Sequence, residues 1–243
     1  MEEMYCYVGD LLGFQNTILN LDENEQEKRV TEWIQLIDEC KKDLPITRSH
    51  YVSDTIFIGA EGNKDGLDAL LNFSKNLLEK GIINSFLLRG AITFGKIHWD
   101  SRITFGAAIV KAYNLANNQN WIGTVCELNL PGIGSLWDFN KVFVYPAPLK
   151  RGYIKLLPVV SWCVPLTKDL ARMSTDRGLT KPKEFLKWEK VGDKIQNTRL
   201  YSIYLTKIKA VEAEKLSPKP NPGQFYGILP TELAEMDIRK MEP

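Results

Sequence analysis

The segment MYCYVGDLLGF, residues 4–14, predicts a buried β-strand that ends at Asp10 and runs into a glycine turn. Phe14 follows Gly13 at a point where a helix can begin. Taken alone, a carboxylate in this position is a helix cap. The segments that follow decide whether Asp10 has a second role.

Helical and β patterns alternate after this strand. Apolar residues recur at helical spacing in three segments, 25–43, 67–81 and 105–118. β-branched and aromatic residues predict strands at 46–62, 83–99, 121–128, 141–149 and 153–166. Segment 46–62 is a hairpin with Asp54 at its tip. The order β-α-α-ββ-α-β-α-β favours an α+β fold, an antiparallel-centred sheet with helices on one face.

Local signals place the ends of the first two long helices. Asp22 or Asn24 caps the first, and Pro45 lies just beyond its end. Its apolar stripe consists of Val30, Trp33, Ile34, Ile37 and Cys40. Gly81 is expected to end the second helix.

The chain divides into three parts. Residues 1–130 form the core domain, which contains Asp10 and Asp54. Residues 131–215 carry further strands and a helix from 198, which pack on the core or extend it. Residues 216–243 are a proline-rich tail, because the sequence SPKPNPG opposes both helix and sheet.

Composition excludes several classes of protein. The 243 residues are 44% hydrophobic, which is enough for one full core. A net charge of +1 gives no field of one sign that would attract nucleic acid or a membrane surface. The acidic start and the absence of a long apolar run predict a cytoplasmic protein. The scattered cysteines are expected to be reduced core thiols: Cys6, Cys40, Cys126 and Cys163.

Asp10 and Asp54 become more informative as a pair. Each has a simple interpretation alone, since Asp also tolerates turn conformations. Neighbouring strands, however, can bring both carboxylates to shared metal ions, while Gly13 and Phe14 present backbone N–H groups to phosphate oxygens at a helix start. Carboxylate oxygens suit Mg²⁺ or Mn²⁺. The pair therefore predicts a triphosphate site with two divalent ions.

Four motifs, in order, resemble those of class III nucleotidyl cyclases. They are DLLGF at 10–14, SDTI at 53–56, LRGAITFG at 88–95 and FGAAIVKAYNLA at 105–116. Within that superfamily the chain most resembles the bacterial Pycsar pyrimidine cyclases. The resemblance implies a ferredoxin-like palm that converts UTP or CTP to the 3′,5′-cyclic nucleotide and pyrophosphate. It also implies that this product is a signal in antiphage defence, detected by a partner effector.

The same resemblance implies roles for individual residues. Asp10 and Asp54 would hold two Mn²⁺ or Mg²⁺ ions. Arg89 is the nearest cation for phosphate oxygens, because a guanidinium can meet two of them at once. Class III sites form between two chains, so a homodimer with composite active sites is expected.

The chain departs from the purine-specific members at three positions. Val110 and Asn114 stand where those enzymes carry the Asn and Arg that hold the ribose and the transition state. Asn114 and Lys111 are then the candidates for the transition-state contact. The lysine that recognises the base falls at His50. Because successive strand residues alternate sides, either His50 or Tyr51 faces a base, but not both.

Two other functions fit the sequence. One is an inactive cyclase fold that binds a nucleotide or a partner without turnover. The other is an interaction protein in which Asp10 and Asp54 are independent turn residues. Carboxylates that face phosphates repel them unless cations intervene, and this favours the enzyme. UTP is favoured over CTP, and the choice stays open.

Overall fold

The computed structural model describes residues 1–14, 18–136 and 140–162, with positions 194, 197, 198, 201, 202 and 205. Eight strands form the sheet: β1 Glu2–Leu11, β2 Arg48–Val52, β3 Thr55–Glu61, β4 Leu88–Trp99, β5 Thr104–Phe105, β6 Gly123–Cys126, β7 Val142–Pro148 and β8 Ile154–Val160. The long helices are α1 Glu23–Lys41, α2 Lys64–Ile83 and α3 Ala107–Asn118. Among the described helices, none is long and apolar enough to cross a membrane.

The sheet has an antiparallel centre. Its order is β2-β3-β1-β4-β6-β8-β7, and β5 pairs with β4 outside this path. β1 lies between β3 and β4 and is antiparallel to both, whereas β4 and β6 are parallel. The predicted α+β fold with an antiparallel-centred sheet is therefore confirmed.

The helices cover both faces of this sheet. The Tyr7 ring of β1 meets Phe73 of α2 edge-on, with ring centroids 5.5 Å apart. Thr93 of β4 lies opposite Cys6, so its side chain is on the other face, where its hydroxyl donates to Ala108 O of α3 at 2.8 Å. The expectation that all helices share one face is wrong, since strand alternation puts α3 opposite α2.

Helix α1 begins as the sequence indicates. The Asp22 carboxylate accepts from Glu25 N–H at 2.9 Å, and the Glu25 carboxylate accepts from Asp22 N–H at 3.2 Å, which forms a capping box. Its buried face is narrower than predicted, because Val30 and Ile34 are exposed. The buried residues of α1 are Trp33, Leu36, Ile37 and Cys40.

Helix α2 runs past the glycine that was expected to end it. Gly81 lies inside the helix and is buried. A Cβ at this position would come within 2.8 Å of Phe86 O and of Leu88 Cδ1. The glycine therefore allows the chain that enters β4 to pass close to the helix, and the helix ends two residues later at Ile83.

Two glycines on neighbouring strands make room for one aromatic ring. Gly9 of β1 lies opposite Gly90 of β4. A Cβ on Gly9 would be 2.6 Å from Tyr7 Oη, and a Cβ on Gly90 would be 2.5 Å from Tyr7 Cε2. The buried ring therefore lies against the strand positions next to Asp10 and Arg89.

The sheet continues beyond residue 130 into β8 and β7. Positions 198, 201, 202 and 205 are helical, as predicted, and Thr198 Oγ1 accepts from Ile122 N–H at 2.8 Å. Cys6, Cys40 and Cys126 are buried free thiols, as expected. Cys163, the end of the strand predicted to 166, residues 206–215 and the tail 216–243 lie outside the described residues.

We expect Gly90→Ala to destabilise the fold, because the added methyl group overlaps the Tyr7 ring. Overpacking of this kind costs about 1–3 kcal/mol in free energy of unfolding, which urea denaturation measures. Gly134→Ala is the matched control, since a Cβ there meets nothing within 4 Å. Equal stability of the two variants would contradict this packing.

Candidate active site

The backbone of the sheet brings Asp10 and Asp54 together. Asp10 is the penultimate residue of β1 and pairs with Thr55, the first residue of β3. Asp54 precedes Thr55 in the β2–β3 turn, where Ser53 adopts a left-handed φ of 56°. Leu11 N–H donates to Asp54 O at 3.2 Å. The two aspartates predicted to act as a pair are therefore neighbours across two adjacent strands.

An ion pair holds the Asp10 side chain. Arg89 lies directly opposite Asp10 on β4, and its Nε and Nη2 donate to the same oxygen, Asp10 Oδ2, at 2.9 and 2.6 Å. The Asp10 side chain is 15% exposed and the Arg89 side chain is 10% exposed. Burial raises the pKa of Asp10, Arg89 opposes that rise and the Asp54 carboxylate adds to it.

The rest of the Arg89 guanidinium points at the end of α3. Nη2 donates to Asn117 Oδ1 at 2.7 Å, and Nη1 donates to Asn117 O at 3.0 Å and, at 3.5 Å, to Gln119 O. With the two bonds to Asp10, these contacts use all five N–H donors of an arginine. In this arrangement Arg89 has no N–H left for a phosphate oxygen.

Lys150 is a second cation, close enough to Asp10 and Arg89 for their charges to interact. It lies in the turn between β7 and β8, which is tied to the end of α3 by Asn120 N–H donating to Pro148 O at 2.9 Å. Burial and the nearby Arg89 charge lower the pKa of Lys150, while Asp10 opposes the shift. Its ammonium donates no hydrogen bond to the part of the chain that the structure describes.

Gly13 and Phe14 follow β1 directly, beside Asp10. Leu12 N–H donates to Leu87 O at 2.8 Å, which fixes the start of the turn. Gly13 has a left-handed φ of 77°, a conformation that favours glycine, and nothing lies within 4 Å of the place a Cβ would occupy. Phe14 has helical backbone geometry and packs against the core.

His50 and Tyr51 lie on opposite faces of the sheet. His50, like Val8, pairs with Phe57, so it shares a face with Asp10. Its Nδ1 is 2.7 Å from Thr104 Oγ1, and its ring is 5.4 Å from that of Trp99 between centroids. Tyr51 lies on the other face and accepts from Lys41 Nζ at 2.6 Å. The structure therefore brings His50, and not Tyr51, to the face that carries Asp10.

Lys111 and Asn114 both lie on the exposed side of α3. Lys111 Nζ donates to Glu127 Oε1 at 2.8 Å in a surface ion pair. Asn114 makes no hydrogen bond to a described residue and lies one turn before Asn117. Neither side chain forms a hydrogen bond or ion pair with Asp10.

The carboxylates of Asp10 and Asp54 fit a divalent ion whose remaining ligands come from a bound substrate. Among the described residues, no group of three or more His, Cys, Asp or Glu side chains could enclose a metal. Asp10 Oδ1 accepts no hydrogen bond from them, since both bonds from Arg89 go to Oδ2. Mg²⁺ and Mn²⁺ favour such oxygens, and Mg²⁺ is often held by one or two carboxylates and completed by substrate phosphates.

Solved structures match this architecture. A dimeric guanylyl cyclase domain of a fusion protein from the aquatic fungus Blastocladiella emersonii matches with a TM-score of 0.54 and 12% identity, over 66% of this chain and 97% of that one. The fold is that of the class III nucleotidyl cyclases. A P. aeruginosa adenylyl cyclase shares this cyclase fold, with a TM-score of 0.52 and 10% identity over 65% of this chain and 93% of that one.

A third cyclase-fold match is the guanylate cyclase domain from Catenaria anguillulae in complex with GTP. Its TM-score is 0.51 at 11% identity, over 66% of this chain and 97% of that one. Neither a protein-family model nor a curated protein matches the sequence. At these identities the likeness shows the cyclase fold, and the role of each residue depends on the geometry above.

Sequence reasoning missed Lys150, Asn117 and Gln119. Asn117 and Gln119 lie at and just beyond the end of a predicted helix, where the carbonyl groups are left without partners. Carbonyl groups without partners at a helix end favour a nearby cation, but they do not indicate which residue supplies it. Lys150 lies beyond the motifs that carry the cyclase resemblance, in a basic turn between two predicted strands, and nothing local links it to Asp10.

We expect Arg89→Met to lower the free energy of unfolding by about 3–5 kcal/mol, because it leaves the buried Asp10 carboxylate without its partner. The double variant Asp10→Leu/Arg89→Met removes both charges and should recover most of that loss. Lys111→Met, which breaks an exposed pair, should cost at most about 1 kcal/mol. Urea unfolding of the three variants checks this, and a double variant as unstable as Arg89→Met would contradict it.

Proposed function

We propose that this protein is a nucleotidyl cyclase, which converts a nucleoside triphosphate to its 3′,5′-cyclic monophosphate and pyrophosphate. The observation that carries the proposal is the juxtaposition of Asp10 and Asp54 at the ends of adjacent strands of a class III cyclase fold. Asp10 is fixed there by a buried arginine, which is more than a turn residue requires.

Asp10 and Asp54 are the residues that would hold two Mn²⁺ or Mg²⁺ ions. Bound there, the ions would offset the negative charge of the phosphates and lower the cost of ionising the ribose 3′-hydroxyl. Arg89 keeps one oxygen of Asp10 occupied and leaves the other for a cation. We therefore assign Arg89 a positioning role on Asp10 in place of the phosphate contact expected from sequence.

Lys150 is the better candidate for the phosphate chain. It is the cation beside Asp10 and Arg89 whose ammonium lacks a partner among the described residues. A lysine that no described residue engages, and whose charge interacts with Asp10, suits a polyphosphate. The backbone N–H groups of Gly13 and Phe14 remain candidates for further contacts to phosphate oxygens.

We further propose a pyrimidine substrate, UTP in preference to CTP, as the resemblance to Pycsar cyclases implies. His50 shares a face with Asp10, and Thr104 fixes its ring, so it is the candidate for the base. On the same resemblance we propose that the product is a signal in antiphage defence, which an effector detects. The cytoplasmic location expected from the sequence is part of the proposal. Asn114 stays a candidate for the transition-state contact, with Lys111 less favoured because of its ion pair.

A homodimer with composite sites is part of the proposal. Asn114 and Lys111 lie on the exposed side of α3 and form no hydrogen bond with Asp10, so they are available to the site of a second copy. Exposed apolar side chains on the helix and hairpin near this face support a partner: Val52, Ile103, Phe105, Val110 and Tyr113.

The alternative is an inactive cyclase fold that binds a nucleotide without turnover. Val110 favours it, because this apolar, 58%-exposed residue stands where purine cyclases carry an asparagine that grips the ribose. An active cyclase releases a cyclic nucleotide and pyrophosphate, whereas an inactive fold releases neither, so analysis of the products distinguishes the two functions.

Incubation with each of the four nucleoside triphosphates and Mn²⁺, followed by chromatography, should yield cyclic UMP as the main product. Asp10→Ala and Asp54→Ala should each abolish turnover, since each removes a carboxylate that the ions need. Asp38→Ala, which removes an exposed carboxylate of α1, is the control and should keep full activity. Binding without any cyclic product would favour the inactive module.

Lys150→Gln should raise KM for the triphosphate roughly tenfold or more, because it removes a charge-assisted contact to phosphate. Lys155→Gln, a change in the same hairpin, should leave KM unchanged. Initial rates over a range of triphosphate concentration measure both. An unchanged KM in Lys150→Gln would exclude this lysine from the phosphate site.

A further inference from the structure

The Arg89 guanidinium is held from two opposite sides. Asp10 Oδ2 accepts from Nε and Nη2 on one side. Asn117 accepts from Nη2 with its side-chain oxygen and from Nη1 with its carbonyl oxygen on the other. Asn117 is thus the second residue whose side chain contacts this guanidinium within the described part of the chain.

This two-sided grip determines which oxygen of Asp10 is available. A guanidinium facing a carboxylate squarely would pair two nitrogens with two oxygens. Here Nε and Nη2 both meet Oδ2, and Oδ1 receives neither. Nη1, which is turned away from Asp10, is committed to the carbonyl groups at the end of α3. The position of Arg89, and with it the free oxygen of Asp10, depends on the contacts with α3.

The end of a helix is a favourable place to hold a cation. The last carbonyl groups of α3 lack helical partners and carry the negative end of the helix dipole. Asn117 O and Gln119 O are two of these groups, and Gln119 is fixed in turn by its side chain, which donates to Gly90 O at 2.7 Å. The Asn117 side chain adds a third acceptor, Oδ1, which receives the hydrogen bond from Arg89 Nη2, whereas the two carbonyl groups receive those from Nη1.

We propose that Asn117 is a positioning residue for the metal site. It holds Arg89 in the orientation that occupies Asp10 Oδ2 and leaves Oδ1 directed to a cation. The inference rests on the proposed function, since it assumes that Asp10 is a metal ligand. It differs from that function in naming a residue of α3 that contacts neither metal nor substrate.

The test is a titration of the full chain with Mn²⁺ alone, followed by electron paramagnetic resonance, in which bound Mn²⁺ loses the signal of the free ion. Loss of a residue that hydrogen-bonds a metal ligand typically weakens metal binding 10- to 100-fold. Because Asn117 acts through Arg89, one step further from the metal, Asn117→Ala should bind Mn²⁺ about five- to tenfold more weakly. Asn117→Asp keeps an acceptor of the same shape and should bind within about threefold of the unchanged chain.

Asn118→Ala is the matched control, because Asn118 is the next residue, is exposed and makes no contact with Arg89. A residue that only stabilises the helix end would lower the thermal midpoint in Asn117→Ala without changing Mn²⁺ affinity. Equal affinity in Asn117→Ala and Asn118→Ala overturns the inference and leaves the proposed function standing. Asp10→Ala is titrated in the same way. If it binds Mn²⁺ as tightly as the unchanged chain does, both the inference and the proposed function are overturned.

Discussion

The ion pair between Asp10 and Arg89 is the interaction on which the site depends. The antiparallel register of β1 and β4 puts the two residues opposite each other, and burial makes each charge costly without the other. A buried pair is weak evidence for stability as such, because apolar replacements are often as stable. Its value here is geometric, since it fixes one carboxylate oxygen at the end of the central strand and leaves the other open.

Much of the fold follows from local pattern. The hairpin tip at Asp54, the cap at Asp22 and the end of α3 near Asn118 are all set by residues within a few positions, and the structure confirms each of them. The sequence prediction for Gly81 was wrong because glycine has two common uses in a helix. It can end the helix, or, as here, it can let another segment pass close by, in this case the one that contains Phe86 and Leu88. The placement of α3 on the second face depends on crossover geometry, which periodicity does not contain.

Some residues of the candidate site could likewise be predicted from local sequence, and others could not. The sequence places Asp10 at a strand end and Asp54 at a hairpin tip, and the cyclase resemblance suggested that they act together. What makes them neighbours is the antiparallel register of β1 with β3, two strands separated in the chain by α1 and β2. The contacts of Arg89 with Asn117 and the approach of Lys150 could not be predicted, since these residues come from separate elements that meet only in the folded sheet. His50 was separated from Tyr51 by strand register, a difference of one residue that sequence leaves open.

The central claim is that Asp10 and Asp54 share cations in the presence of a triphosphate. Crystals grown with Mn²⁺ and a non-cyclisable UTP analogue, measured by anomalous diffraction, test it most directly. The account predicts Mn²⁺ peaks about 2.1 Å from carboxylate oxygens of both residues, a distance usual for a small divalent ion, with Arg89 still on Asp10 Oδ2. Nucleotide bound without Mn²⁺ at these carboxylates, or Mn²⁺ bound elsewhere, would contradict it.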